Sequence, residues 1–270
     1  MPLSSKDPYN DLMKERLPLE NDLESFVEAG GDEIDGAQIV ARLIEPSVGA
    51  SKTIVMLDKF AKEMPSACSV EELVSTLSEH GFKGSDDYFN EQNSSLPHVL
   101  TTRRGIPITL AIVILGVARR LGMDAYGINS PGHFLASVED VVIDPFRMAI
   151  IDPSALERWL EKTKLTSEKA FPRANSVDVV TRMLNNLKGL ALQKANYSRA
   201  IDLCSYQLVL AEQTLPLLME RVDLWAKAGN PSMAVYDLDQ ALALVKDDSL
   251  RAEILERRKF FGESDSTKLH

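Results

Sequence analysis

The chain predicts an α+β protein: a helical first part, a small antiparallel sheet built against one buried helix, and an all-helical final part. Three observations carry that reading. The run 108–121 is apolar on nearly every side, which marks a helix sealed inside a core, where an amphipathic helix would keep one polar face. Short runs rich in apolar and β-branched residues follow Gly122 and carry strand patterning. From Ser154 onward helical spacing returns, and the final part repeats itself at a fixed interval. With 270 residues there is ample core for one large domain or two modest ones.

The elements follow in order. Residues 1–33 read as a polar N-terminal extension with a Gly30-Gly31 break, in which Leu17, Leu19, Leu23, Phe26 and Val27 allow one short helix. Over 35–46, Ile39, Val40, Leu43 and Ile44 have helical spacing, and Pro46 stops it. The stretch 51–63 repeats the theme with Ile54, Leu57, Phe60 and Ala61. Ser69 offers an N-cap, Glu71 and Glu72 an acidic first turn, and Val70, Leu73, Val74 and Leu77 a buried stripe that Gly81 closes. Residues 84–95 read as a polar loop and 95–102 as a brief helix. Gly105 then turns the chain, and Pro107 takes the first position of the buried helix, where its missing N–H costs nothing. Arg119 and Arg120 sit at the helix's negative end, and Gly122 stops it.

Three strands are expected, at 125–128, 133–138 and 141–143. Glu139-Asp140 forms a two-residue hairpin tip, so Val138 faces Val141 and Leu135 faces Asp144. His133 then lies diagonally from Asp144 on the same face, roughly 7–8 Å away at the backbone and within reach of an imidazole. In the final part, Lys194-Ala195-Asn196-Tyr197-Ser198-Arg199-Ala200 aligns with Ala228-Gly229-Asn230-Pro231-Ser232-Met233-Ala234 at an offset of 34 residues. That is the period of a tetratricopeptide helix–turn–helix repeat, and Ala200 and Ala234 are the small residues that let paired helices approach. The expected domains are therefore the extension 1–33, a core domain 34–170 and a tetratricopeptide-like helical segment 171–270.

Composition excludes several functions. A formal charge of −10 is wrong for a nucleic-acid surface, which needs clustered Lys and Arg. No apolar run is long enough to span a bilayer, since 106–118 is interrupted by Pro107, Thr109 and Gly116. The N-terminus lacks a signal-peptide core. The two cysteines, Cys68 and Cys204, do not make a disulfide framework and fit a reducing compartment, so a cytoplasmic location is expected. Both are expected as small buried hydrophobes. His80 and His98 lack ligand spacing, and neither metal nor cofactor is expected.

The order buried helix, His133, Asp144 is that of a papain-like active site, in which a cysteine at the helix N-terminus is activated by a histidine that a carboxylate orients. This stretch resembles the transglutaminase-like superfamily, whose members often begin that helix with Cys-x-x-x-Ala. Counting back from Gly122 and from Ala111 puts the cysteine position at Pro107. A closer resemblance, over roughly 35–245, is to the bacterial SirB-one type proteins, a transglutaminase-like branch with a tetratricopeptide-like tail. It rests on Asn93-Ser94-Ser95-Leu96, Arg103-Arg104-Gly105-Ile106-Pro107-Ile108-Thr109-Leu110, Ala118-Arg119-Arg120-Leu121-Gly122, Pro131-Gly132-His133-Phe134-Leu135 and Ile143-Asp144-Pro145-Phe146. The chain departs from that branch in its short Glu139-Asp140 hairpin and in Arg147-Met148-Ala149, which stand where glycines usually follow.

His133 and Asp144 are either a surviving acid–base pair or a hydrogen-bonded brace for the hairpin. Arg103 and Arg104 either hold an anion beside the helix start or form a structural salt bridge to Asp144 or Asp86. Asn93 either contacts a ligand or caps the helix beginning near Ser95. Thr109, two positions past Pro107, is expected to point away from it, and Ser130 lies on the loop before His133, so neither is expected as a replacement nucleophile. The resemblance with Pro107 at the nucleophile position implies a non-catalytic transglutaminase-like protein that binds a protein or peptide. The alternative is a hydrolase or acyltransferase that uses His133 and Asp144 without a cysteine.

Overall fold

Helix follows helix until the sheet begins, as the apolar spacings require. The computed structural model describes residues 17–65, 67–164 and 166–266, so the first sixteen residues of the expected extension lie outside it. The chain opens with α1 (Glu20–Ala29), α2 (Glu33–Ile44), α3 (Ala50–Lys62) and α4 (Val70–Glu79). A two-residue strand β1 (Lys83–Gly84), a 3-10 turn (Glu91–Ser94), α5 (Leu96–Thr102) and β2 (Arg104–Gly105) lead into α6 (Pro107–Arg120). Next come β3 (Ala125–Ile128), β4 (Leu135–Val138), β5 (Val141–Asp144), β6 (Ala149–Ile150), α7 (Pro153–Thr163), α8 (Ser167–Ala170) and β7 (Arg173–Ala174). Five helices complete the described chain: α9 (Ser176–Gln193), α10 (Tyr197–Leu210), α11 (Leu215–Lys227), α12 (Pro231–Leu244) and α13 (Asp248–Ser266). Residues 26–183 form one compact unit, and the described residues of 1–25 and 184–270 form the other.

In the first unit, local chemistry sets the helix starts. Asp32 accepts from the N–H groups of Ile34 and Asp35, and Asp35 returns a bond to the Asp32 N–H, a reciprocal cap at the start of α2. Ser69 and Glu72 do the same for α4, at the position the sequence predicts. Pro107 is the first residue of α6, and Ile106 before it is extended (φ −89°, ψ 163°), as a residue preceding proline prefers. Every residue of α6 between Ile108 and Ala118 is buried. Each buried Leu, Ile or Val there stabilises the fold by about 1.5–3 kcal/mol before entropy is counted. The two arginines ending α6 reach outward. Arg119 forks onto Glu33 and also donates to the Ala125 carbonyl, and Arg120 donates to Asp58 and to the Gly116 carbonyl.

The main sheet runs β6-β5-β4-β3-β7, and every neighbouring pair is antiparallel. Val138 pairs with Val141, so the hairpin register is the predicted one. Glu139 and Asp140 both take positive φ, 48° and 63°, the backbone a two-residue turn needs to match strand twist. Ala125, Gly127, Ala136, Val138 and Ile143 share one face by alternation and are all buried. β4 begins at Leu135, two residues after the expected start. Pro131 and Gly132 form a turn, and the His133 N–H bonds back to the Ser130 carbonyl, which holds His133 in the loop. β1, β2, β6 and β7 were not expected, because a two-residue strand has no period to read. β1 and β2 pair in parallel, and Gly84 is needed there: its N–H bonds to the Phe146 carbonyl, and a Cβ would sit 2.4 Å from the Phe146 ring.

In the second unit the 34-residue interval recurs in the helices. α10 begins at Tyr197 and α12 at Pro231. Asn196 and Asn230 each accept from the N–H three residues on. The residue before each cap has positive φ, Ala195 in one place and Gly229 in the other. Ala200 and Ala234 are fully buried. The core is not purely apolar. Arg221 of α11 forms a two-pronged pair with Asp237 of α12 (2.8 and 2.6 Å), and Asp237 also accepts from the Trp225 indole. Arg221 donates further to the Ser205 hydroxyl of α10. A second buried cation, Lys188 of α9, donates to Gln207 (2.6 Å) and Glu220 (2.8 Å).

Candidate functional site

The loop before β4 and the end of β5 bring His133 and Asp144 to the wall of one cavity of about 260 Å³. Polar residues Ser130, His133, Asp144 and Arg147 line the cavity together with apolar Leu135, Ile151, Leu156, Trp159 and Phe171, and the Trp159 and Phe171 rings lie 5.2 Å apart. α7 supplies Leu156 and Trp159. Its start is set by Asp152, which accepts from the Ser154 N–H, and by Pro153 at the first position. His133 is exposed.

Among the described residues no hydrogen bond joins His133 to Asp144. The Asp144 carboxylate instead accepts from the N–H groups of Phe146 (2.9 Å) and Arg147 (3.1 Å), and the Arg147 guanidinium lies 3.7 Å away. The Ile143-Asp144-Pro145-Phe146 run is thus a turn held by its own aspartate, as short polar side chains do when they bond backbone two residues on. Both sequence readings of the pair, acid–base relay and hairpin brace, assumed that contact. The aspartate is committed to its own turn, and the histidine is left facing the cavity.

The other singled-out residues do not line this cavity. Pro107 stands at the head of α6. Arg103 is the left-handed C-cap of α5 (φ 61°), and its guanidinium lies 5.7 Å and 6.0 Å from the Phe60 and Phe82 ring centres. Arg104 donates to the carbonyls of Gly81 and Arg103. Neither arginine pairs with Asp144 or Asp86 among the described residues: Arg104 is drawn to carbonyls in the turns after α4 and α5, and Arg103 lies against aromatic faces with its buried Nε lacking a hydrogen-bond partner. Asn93 is buried. Its amide donates to the Asp87 carbonyl and its own carbonyl accepts from Thr109, so it ties the 3-10 turn to α6. Asn93 does not cap α5, whose N-cap is Ser95.

The substitute nucleophiles divide. Thr109 is fully buried and its hydroxyl donates to Asn93 (2.6 Å), so it cannot attack a substrate. Ser130 lines the cavity beside His133. Cys204 is buried, and burial pushes its thiol up to about 12, which leaves no thiolate near neutral pH. Cys68 differs from its expected burial. It is half-buried in the turn before α4, where the thiol donates to the Ser69 carbonyl, and burial followed by the Glu72 charge raises its pKa. Among the described residues no group of three or more His, Cys, Asp or Glu is placed to hold a metal ion. No helix there is long and apolar enough to cross a membrane.

Sequence reasoning missed Arg147, Trp159, Phe171 and Leu156 as wall residues. Trp159 gave the one available signal: it is one of two tryptophans, on a helix whose apolar residues Ala155, Leu156, Trp159 and Leu160 are only half-buried.

Residues 40–185 match the transglutaminase-like superfamily. A UPF0162 protein of Pseudomonas aeruginosa is 28% identical over 205 residues, which cover 73% of this chain and 76% of that protein. A UPF0162 protein of Xylella fastidiosa is 31% identical over 179 residues, 61% of this chain and 63% of that protein. F-box only protein 21 of Mus musculus is 28% identical over 163 residues, 55% of this chain and 26% of that protein. The chain belongs to the transglutaminase-like superfamily.

Proposed function

We propose that this member of the transglutaminase-like superfamily works by holding a peptide segment of a partner protein in the His133 cavity, without cysteine chemistry. The observation that carries the reading is Pro107. A pyrrolidine ring begins α6 where the resemblance expects a sulfur nucleophile, and neither cysteine of the chain lines the cavity. What is left is an open pocket lined by a few polar groups and by apolar and aromatic side chains, the usual constitution of a binding site.

The SirB-one type assignment is part of the same proposal, supported by the ordered motifs around Arg103, His133 and Asp144. The tetratricopeptide-like reading of the tail draws support from the 34-residue recurrence of its helix starts and asparagine caps. Two free cysteines fit a reducing, cytoplasmic setting. One printed name among the relatives, F-box only protein 21, describes a protein in which this region is a quarter of the whole. A part of that size serving a larger protein agrees with a binding role.

A second reading keeps one observation in its favour. His133 is exposed on the cavity, so hydrolysis or acyl transfer through His133 with water or a substrate-borne nucleophile has access, whereas Ser130 is buried. Against it stands Asp144, which is engaged by its own turn and does not orient the imidazole. Incubating the purified chain with thioester, amide and peptide substrates separates the two. The binding account expects no product above buffer. Turnover that His133→Ala abolishes replaces it with the enzyme account.

A further inference from the structure

We infer that the cavity is built for the free C-terminal carboxylate of a peptide whose last residue is large and apolar. This rests on the peptide-binding reading above and names the part of the peptide that is held. The first argument is the balance of donors and acceptors among the polar lining residues. Asp144, the one carboxylate there, accepts two backbone N–H groups with one oxygen, and its other oxygen stands 3.7 Å from the Arg147 guanidinium without a hydrogen bond, so a ligand carboxylate competes with it for that cation. Arg147 is open to that competition. Its side chain is 82% exposed, and its distance of 3.7 Å from Asp144 is longer than a hydrogen bond. Exposed pairs of this kind hold weakly, and the rest of a five-donor fork is left for a ligand. The exposed His133 side chain has no hydrogen-bond partner among the described residues. The cavity therefore offers guanidinium and imidazole N–H groups to an incoming acceptor. A planar carboxylate is what an arginine fork grips best.

The second argument is the apolar lining. Ile151, Leu156, Trp159 and Phe171 add an apolar and aromatic lining to the same cavity. An apolar side chain and a negative pair of oxygens attached to one carbon describe the terminal residue of a peptide. The third argument is size. About 260 Å³ lies just below the usual ~300–1,000 Å³ of ligand pockets, enough for one residue and its carboxylate but not for a folded segment. An internal peptide bond would offer the fork a single neutral carbonyl, and an apolar fatty acid would outgrow the space.

The test uses the full chain and calorimetric titration with N-acetylated hexapeptides that differ only in the last residue (Phe, Leu or Asp), each prepared as the free acid and as the C-terminal amide. The free acids ending in Phe or Leu are expected to bind about tenfold tighter than their amides, a difference of roughly 1.4 kcal/mol. Arg147→Gln removes that preference and leaves amide binding unchanged, Arg147→Lys keeps part of it, and Trp159→Ala weakens acid and amide alike. Equal binding of acid and amide, with both weakened by Trp159→Ala, overturns the carboxylate inference and leaves the peptide-binding reading standing. No binding by any of the peptides overturns both.

Discussion

The two units of this protein solve the problem of a stable interior in opposite ways. Residues 26–183 wrap an unbroken apolar helix, with Ile108 to Ala118 all buried, and keep charge at its C-terminal end, where Arg119 and Arg120 meet Glu33 and Asp58. The helical unit 184–270 places a complete ion pair inside: Arg221 and Asp237 are 6% and 0% exposed and are further held by Trp225 and Ser205. The contrast teaches where each unit tolerates change. An apolar core loses stability in proportion to the volume removed, whereas a buried pair loses little if both partners go and much if one does.

The largest effect is therefore expected at Asp237. Asp237→Ala leaves Arg221 buried without its partner and costs about 3–5 kcal/mol. The double variant Arg221→Met with Asp237→Leu recovers most of that loss. Urea titration followed by far-UV circular dichroism reads both, and a single variant costing less than about 1 kcal/mol breaks the comparison.

A smaller effect is expected in the first unit. Burial works against ionisation of Glu33, but the Arg119 hydrogen bonds and charge outweigh it and hold the carboxyl below its ordinary value. Arg119 is about a third exposed, so Glu33→Gln costs only about 1–2 kcal/mol. The sign with pH follows: a depressed folded value makes the unfolded chain take up the proton first. The stabilisation is full above the ordinary carboxyl value of 4.5 and is lost as pH falls through the folded one. Wild type and Glu33→Gln should thus converge in stability in acid and separate near neutrality. A constant difference across pH contradicts the assignment.

The smallest effect sharpens the repeat. Gly229 has φ 73°, whereas Ala195 at the matching place has φ 51°, a strained position for a residue with a Cβ. Ala195→Gly is expected to stabilise the helical unit by about 0.5–1 kcal/mol, read as a rise in the urea midpoint, and a loss of stability contradicts the equivalence of the two turns.

What the sequence makes legible follows the same division. Regular period and local chemistry can be read: Pro107 opening α6, Ser69 capping α4, the Glu139-Asp140 tip with Val138 facing Val141, and the asparagine caps of the repeat. Long-range convergence cannot. Arg221 and Asp237 look like surface charges until α11 packs on α12, and the cavity wall gathers Arg147 from a turn, Trp159 from α7 and Phe171 from a loop. The expected contact between His133 and Asp144 met a competitor, because the Phe146 and Arg147 N–H groups take the carboxylate from two and three residues away.

The account's central claim is that the His133 cavity holds a peptide and leaves it intact. The most direct measurement follows the His133 imidazole resonance of the full chain during titration with the free-acid hexapeptides, with mass spectrometry of the peptide from the same tube. A saturating shift of that resonance, lost in Trp159→Ala, with peptide of unchanged mass, is the predicted result. A cleaved or acyl-transferred peptide, or an imidazole resonance that does not move at saturating peptide, contradicts it.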